Sequence, residues 1–170
     1  IGSEEIISAL FGYGNFNKES VNNSSLALFY FALGLPAFAL IKVFSSFLFA
    51  YHNTKIPFYI SLISVLLNIF IMIYYFNKIS FIIIPIATSI SSWFKAIVLF
   101  IYLNNKNLFY FKNNFTLNLF KIIFASILMG LFFDFLLNFF ENQLSFYHSF
   151  KSIYLILSVL FALFLNVYIC

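Results

Sequence analysis

Charged residues are scarce in this sequence, at 8% of its 170 residues, and arginine is absent altogether. A soluble globular domain carries about 25% charged and about 45–50% apolar residues, whereas this chain is 64% hydrophobic and 24% aromatic. So few polar side chains cannot cover the surface of a folded chain in water. The sequence therefore predicts an integral membrane protein whose solvent is largely lipid.

Metal-binding and catalytic residue patterns are also missing, which excludes several function classes. The single cysteine, Cys170, cannot form an intrachain disulfide, and His52 and His148 have no further ligand at metal-binding spacing. Because there is no carboxylate pair, no Ser-His-Asp arrangement and no glycine-rich phosphate loop, we expect neither an enzyme nor a cofactor. The basic residues give a net charge of +4 but are scattered along the chain, which argues against nucleic-acid binding.

Long apolar runs dominate the sequence. A bilayer core about 30 Å thick requires about 20 mainly apolar residues, and such a run must be helical because lipid offers no hydrogen-bond partner. Five runs qualify, at 26–50, 57–76, 81–103, 117–140 and 151–170. The opening stretch, IGSEEIISALFGYG, lacks the features of a signal peptide and looks like the end of an apolar helix. We expect an all-α, polytopic transmembrane bundle of about five spanning helices plus a truncated N-terminal helix stub, within a longer polypeptide.

The lysines between the predicted spans indicate the orientation of the bundle. The loops after the first and third spans, with their flanks, hold Lys55, Lys106, Lys112 and Lys121. The opposite side holds Lys18, Lys78 and Lys151. Since positive charge is enriched on the cytoplasmic side, this four-to-three majority predicts that the first and third loops, and the C-terminus, are cytoplasmic.

The first predicted span contains a lysine near its cytoplasmic end. Lys42 lies 16 residues beyond Leu26, or about 24 Å at 1.5 Å per residue, which leaves about 6 Å of a 30 Å core. Its stem can reach the headgroups by snorkelling; the alternative is a cation that faces a cavity. In the snorkelling interpretation the following turns lie along the membrane interface, through one helical face formed by Phe44, Phe47, Leu48 and Tyr51.

A glycine and a proline lie just before that lysine, in the triplet Gly34-Leu35-Pro36. Pro36 removes one backbone hydrogen bond, and Gly34 weakens the same helical turn. We therefore expect a kink or a hinge at Gly34 and Pro36.

Polar side chains form a stripe on each of the next two spans. On the third span they are spaced i, i+3, i+4 and i+7, at Thr88, Ser91, Ser92 and Lys95. On the second span the stripe consists of Ser61, Ser64 and Asn68. Such faces either meet as helix-to-helix contacts, where hydroxylated residues are common, or line a wet cavity. For Lys95 a cavity is favoured, because a lysine that faces lipid at this depth is costly.

Several stretches together resemble the MurJ/MviN family of lipid II flippases. They are FGYGNFN (11–17), ALFYFALGLPAFALIKVFSSFLFAYHNTKIP (27–57), LISVLLNI (62–69) and IATSISSWFKAIVLF (86–100). The positions that match the family pattern are Tyr30, Gly34, Leu35, Lys42, Val43, Tyr51, Thr54, Lys55 and Pro57. Two features depart from it. His52-Asn53 replaces the more usual Gln/Glu-Asp pair, so the loop loses a carboxylate, and Lys95 stands where relatives usually carry a small or amide residue.

The resemblance implies a bacterial inner-membrane transporter of fourteen helices, of which this chain is the C-terminal part. Residues 1–103 would belong to the C-terminal lobe, and residues 104–170 would be the last two helices, with a groove for a lipid tail. By alternating access the transporter would move lipid II, the undecaprenyl-linked peptidoglycan precursor, from the inner to the outer leaflet. Its partners would be lipid II, membrane lipids and the missing N-terminal lobe. The buried lysines and the polar stripes supply the substrate-cavity candidates, which are Lys42, Asn68, Thr88, Ser92 and Lys95.

Two alternatives to a lipid II flippase stay open at this point. One is a sister exporter of the same superfamily, which moves polysaccharide-linked lipid or drugs. The other is a membrane scaffold of the cell-wall machinery that transports nothing. A scaffold has no need of paired polar stripes inside the membrane, whereas residues of the N-terminal lobe would separate the two kinds of transporter.

Overall fold

The computed structural model describes residues 2–12, 16–106, 115–139 and 151–169, with side chains given at all but 115–119, 151 and 162–169. Lys112, His148 and Cys170 lie outside the described residues. The described helices are α1 (Ser3–Phe11), α2 (Lys18–Ala50), α3 (Lys55–Ile79), α4 (Ile83–Asn105), α5 (Phe115–Phe139) and α6 (Lys151–Ile169), with a short 3₁₀ turn at Ser80–Ile82. No strand occurs in these ranges. The expected all-α membrane bundle is confirmed.

The lengths of α2 to α6 suit a membrane. They contain 33, 25, 23, 25 and 19 residues, and even 19 residues extend about 28 Å, close to the thickness of a bilayer core. Three described stretches are long and apolar enough to cross by themselves: Lys18–Ala50, Lys55–Asn105 and Phe120–Phe139. The second has 51 residues and contains both α3 and α4, so it is long enough to cross the membrane twice. Ser152–Phe161 of α6 is a shorter apolar helix.

The start of α2 differs from the prediction. Residues 18–25 belong to the polar segment that we expected to separate two helices, yet α2 begins at Lys18. Asn17 explains the early start, because its Oδ1 accepts hydrogen bonds from the Ser20 backbone N–H (2.8 Å) and the Ser20 hydroxyl (2.9 Å). This is the geometry of an N-cap, and Glu19 in the first turn complements the helix dipole.

The chain divides into two compact units, Leu26–Tyr110 and the combination of Ile1–Ser25 with Phe111–Cys170. We call them the α2–α4 unit and the α5–α6 unit. The α2–α4 unit has a core of Phe44, Leu48, Ile60, Leu99 and Leu103. In this respect the predicted interfacial face was wrong: Phe44 is 6% exposed and Leu48 is fully buried, because both pack against α3 and α4. Phe47 and Tyr51 are exposed.

In the α5–α6 unit the short N-terminal helix packs against α6. Ala9, Leu137 and Leu155 form a small core there, and the Ser152 hydroxyl donates to the Ala9 carbonyl. The rings of Phe132 and Phe161 stack with their centroids 6.2 Å apart. The division into a lobe segment (1–103) and two final helices (104–170) concerns transport roles, and it stays a prediction.

Gly34 lies where α2 makes a close approach to α4. A Cβ atom at this position would stand 2.8 Å from Ser89 Oγ and 3.3 Å from Ser89 Cα. The Ser89 hydroxyl donates to the Tyr30 carbonyl (2.6 Å), and the Trp93 indole N–H donates to the Leu33 carbonyl (3.0 Å). Small residues allow such approaches between membrane helices. The glycine therefore has a packing role that the sequence analysis missed.

Helix α2 continues through Gly34 and Pro36 without interruption. The two hydrogen bonds from α4 reach the carbonyls of Tyr30 and Leu33, six and three residues before Pro36. A hinge at this position stays a prediction.

We expect Gly34→Val to destabilise the protein by about 1–3 kcal/mol, because the added side chain overpacks the contact between α2 and α4. The measurement is the thermal midpoint of the purified protein in detergent. Ala39→Val is the matched control, since Ala39 is exposed on the same helix. Equal midpoints for the two variants would show that the close approach is not needed for stability.

Candidate substrate cavity

Hydrogen bonds fix how α3 lies against α4. The Asn53 amide donates to the Tyr102 hydroxyl (3.3 Å), and the Ser64 hydroxyl donates to the Ser91 carbonyl (2.8 Å). Asn68 lies still further along the chain and contacts Thr88. As residue numbers rise on one side of the contact they fall on the other, so the two helices are antiparallel. The two predicted polar stripes therefore face each other.

Asn68 is the centre of this polar contact. Its Nδ2 group donates one hydrogen bond to Ser91 Oγ (3.1 Å) and another to Thr88 Oγ1 (3.4 Å). Because lipid supplies no competing partner, such bonds between helices hold membrane proteins together. The contact between helices, one of the two interpretations of the stripes, is thus present at Asn68, Thr88 and Ser91.

A cavity of about 380 Å³ opens beside the same contact, bordered by α2, α3 and α4. Apolar side chains, among them Phe38 and Ile41 of α2, form part of its wall. Its polar lining consists of Ser61, Ser64, Asn68, Ser91, Ser92 and Lys95. Three of the five predicted cavity residues, Asn68, Ser92 and Lys95, therefore line one cavity. The stripes supply both a contact between helices and a cavity wall.

Lys95 is the one charged side chain in that lining. It lies 12 residues after Ile83, the first residue of α4, and thus about 18 Å along the helix, well inside a bilayer core. Its side chain is half-buried. Ionisable residues at this depth are rare and mark substrate or ion pathways. The arrangement presents one positive charge amid hydroxyl and amide groups, which suits an anionic group.

The other two predicted cavity residues have different places. Thr88 contacts Asn68 from α4 but is not among the residues that line the cavity. Lys42 is exposed on α2 and also lies outside that lining, while its backbone carbonyl accepts a hydrogen bond from the Ser46 hydroxyl (2.8 Å). Its snorkelling and cavity interpretations both stay predictions.

The sequence analysis missed several residues of α2 and α4 that complete the site. Phe38 and Ile41 give the cavity an apolar side, and Ser89 and Trp93 fasten α2 in place. Ser89 lies next to the predicted stripe and bonds to a different helix, so the stripe spacing alone does not reveal it. No group of three or more His, Cys, Asp or Glu side chains that could hold a metal ion occurs in the described part of the chain.

A second pocket, of about 270 Å³, lies between α5 and α6 in the other unit. Five of its six lining residues are apolar, and the sixth is Ser158, whose hydroxyl donates to the Leu155 carbonyl (2.7 Å). The lining residues are Phe135, Leu136, Phe139, Leu157, Ser158 and Phe161. The pocket falls in the two helices that were predicted to form a lipid-tail groove.

Apolar helices that border a polar cavity with a lysine in its wall are an arrangement typical of membrane transport proteins. A family model described as "Lipid II flippase MurJ" matches residues 1–156, and the chain belongs to this family. The resemblance seen in the sequence is thereby confirmed.

Three relatives described as "Probable lipid II flippase MurJ" illustrate the similarity. The chain is 29% identical to the protein of Rickettsia prowazekii over 129 residues, which are 76% of this chain and 25% of the relative. It is 35% identical to that of Thermotoga maritima (75% of this chain, 25% of the relative). It is 36% identical to that of Rhizobium meliloti (58% and 18%). The chain thus spans a quarter or less of the length of these three relatives.

We expect Asn68→Ala to lower the stability of the protein by about 1 kcal/mol, because two hydrogen bonds between α3 and α4 are lost. Ser61→Ala is the matched control: it changes the same cavity wall, but its hydroxyl bonds to Pro57 within α3 (2.6 Å). The thermal midpoints of both variants provide the measurement. A larger loss for Ser61→Ala than for Asn68→Ala would contradict the assignment.

Proposed function

We propose that this chain is part of a lipid II flippase, which moves the undecaprenyl-linked peptidoglycan precursor from the inner to the outer leaflet. Family membership and the names of the relatives support this substrate. The single structural observation that carries the proposal is the cavity of the α2–α4 unit with Lys95 in its wall. A flippase of this kind makes and breaks no covalent bond in its cargo, so the protein is not an enzyme.

Lys95 has a direct electrostatic role in this proposal. The headgroup of lipid II carries a pyrophosphate, and removal of such a charge from water into the membrane is costly. An ammonium group within a few ångströms offsets part of that cost, because charges interact more strongly where the dielectric constant is low. Lys42 is proposed as a second cation that the headgroup meets near the cytoplasmic side.

Alternating access is the mechanism that we propose for the whole transporter. The chain spans about a quarter of the relatives, and we propose that it is the C-terminal part, with residues 1–103 in the C-terminal lobe. The N-terminal lobe would supply the rest of the central cavity. Gly34 and Pro36 would form a hinge in α2, since Pro36 removes a backbone hydrogen bond from a helical turn that Gly34 also weakens.

The polyprenyl tail of the substrate needs an apolar surface, and residues 104–170 are proposed to provide it. The pocket between α5 and α6 supports this role, because its one hydroxyl is bonded within α6 and the remaining lining is apolar. The protein would reside in the bacterial cytoplasmic membrane with its C-terminus in the cytoplasm, as the lysine distribution predicts.

A sister exporter of polysaccharide-linked lipid or drugs remains the second candidate from the sequence, and a scaffold without transport activity is the third. The polar cavity favours a transporter over a scaffold, since a scaffold does not require one. Family membership favours lipid II over other lipid-linked cargo.

The test of the proposed function uses the complete reading frame in bacteria that are depleted of their own lipid II flippase. Lipid II in the outer leaflet is quantified with an externally added reagent that does not cross the membrane. We expect exposure to return to the level of undepleted cells. No return, with the protein present in the membrane at normal amounts, would contradict a lipid II flippase and favour the sister exporter or the scaffold.

Variants of the two lysines extend this assay to the site. We expect Lys95→Ala to reduce lipid II exposure about tenfold or more, because one charge contact with the pyrophosphate is lost. Lys95→Arg should largely retain exposure, because the charge is kept. Lys42→Ala tests the second cation in the same way. Full exposure with an alanine variant at either position would remove that lysine from the proposed site.

A further inference from the structure

The C-terminal part of α3 carries aromatic rings and a lysine in a regular order. Phe70, Tyr74 and Lys78 are spaced i, i+4 and i+8, so they follow one another along one side of the helix. The rings of Phe70 and Tyr74 stack with their centroids 6.4 Å apart. The Tyr75 ring meets the Tyr74 ring edge to face, with the centroids 4.9 Å apart. We call these four residues the Lys78 face.

The ammonium group of Lys78 lies close to both tyrosine rings. Its Nζ is 5.7 Å from the centroid of the Tyr74 ring and 5.9 Å from that of the Tyr75 ring, which is within the range of cation–π attraction. Lys78 is exposed, and no carboxylate in the described part of the chain forms an ion pair with it. The rings hold the cation but carry no net charge, so they leave its positive charge for an anionic partner.

The length of α3 indicates how deep the Lys78 face lies in the membrane. Lys78 is 23 residues beyond Lys55, the first residue of the helix, or about 34 Å along its axis, whereas a bilayer core is about 30 Å thick. With Lys55 at one membrane surface, Lys78 reaches the headgroups of the other. Tyr74 lies one turn earlier, at the edge of the core, where tyrosine is enriched. Phe70 lies a further turn inside the hydrocarbon.

The aromatic part of this face points away from the cavity bordered by α2, α3 and α4. At about 100° per residue, Phe70 is about 200° around the helix from Asn68, and no residue of the Lys78 face lines that cavity. Phe70 is 71% exposed and Tyr74 is 61% exposed. Because lipid tails are as apolar as these rings, acyl chains are suitable neighbours for this surface.

We propose that the Lys78 face binds one anionic phospholipid, which is distinct from the transported cargo. The order of its side chains matches the order of groups in such a lipid: an acyl chain packs along Phe70, the glycerol backbone lies beside the tyrosines, and the phosphate accepts hydrogen bonds from Lys78. A headgroup with a net negative charge neutralises the lysine, whereas a zwitterionic headgroup brings a second cation beside it. The bound lipid would tie the C-terminal end of α3 to one leaflet. This inference does not rest on the proposed transport function.

The test identifies the lipid that lies next to α3. The full-length protein is reconstituted in phosphatidylcholine vesicles with a trace of photoreactive phosphatidylglycerol or of photoreactive phosphatidylcholine, both with the reactive group at the same position of one acyl chain. Mass spectrometry quantifies the lipid that is attached to residues 66–79 after irradiation. We expect about fivefold more attachment of phosphatidylglycerol, because one lysine near the membrane surface favours an anionic lipid by about this factor. Equal attachment of the two lipids would overturn the proposal.

Variants show whether the preference depends on Lys78. Lys78→Ala should bring the ratio of the two yields close to one, and Lys78→Arg should keep the ratio because the charge is retained. Lys106→Ala is the matched control, since Lys106 is an exposed lysine at the C-terminal end of α4, and it should leave the ratio at residues 66–79 unchanged. A preference that survives Lys78→Ala, or one that falls equally in Lys106→Ala, would overturn the assignment to the Lys78 face.

An acidic segment of another protein is the competing occupant, because it would also neutralise Lys78. The same photoreactive lipids are therefore added to native membranes that contain the protein. We expect the preference for phosphatidylglycerol at residues 66–79 to persist there. Loss of lipid attachment in native membranes, with the protein still labelled in vesicles, would show that a protein covers this face and would overturn the proposal.

Discussion

The hydrogen bonds between α3 and α4 are the interaction on which the α2–α4 unit depends. Inside a bilayer a polar side chain without a partner is costly, so the polar stripes of the two helices are best placed against each other. Once Asn68 bonds to Thr88 and Ser91, the register of the pair is set. That register lets Ile60 of α3 and Leu99 of α4 share one apolar core and places Lys95 in the cavity wall.

The position of α2 depends in turn on α4. Two side chains of α4, Ser89 and Trp93, donate to carbonyls of α2 (Tyr30 and Leu33), and Gly34 lets the backbones approach. These contacts lie within the two helical turns that precede Pro36. They place the apolar wall of the cavity, including Phe38 and Ile41, opposite the polar stripes. The cavity therefore exists because a polar contact and a close backbone contact hold three helices at once.

The helices and the polar stripes follow from the sequence because length, hydrophobicity and a 3.6-residue period are properties of one segment at a time. Features that depend on a second segment were not predicted. The spacing of Phe44 and Leu48 shows that they share a face, but not that α3 and α4 cover it. Gly34 was interpreted as a weak point of its own helix, whereas its contact is with Ser89. The early start of α2 depends on a nearby residue, the cap at Asn17. The overall polarity of the segment does not reveal such a cap.

The direction of each hydrogen bond shows which groups donate and which accept, and the residue types alone do not show this. From the sequence, the serines and the asparagine of the stripes are equally able to donate or accept. In the fold their protons are committed to carbonyls and hydroxyls of α3 and α4, because backbone acceptors are the nearest partners within a helix. What is left for the cavity is a row of acceptors beside a single cation. The same contacts that hold the helices together therefore leave these side chains only acceptor lone pairs.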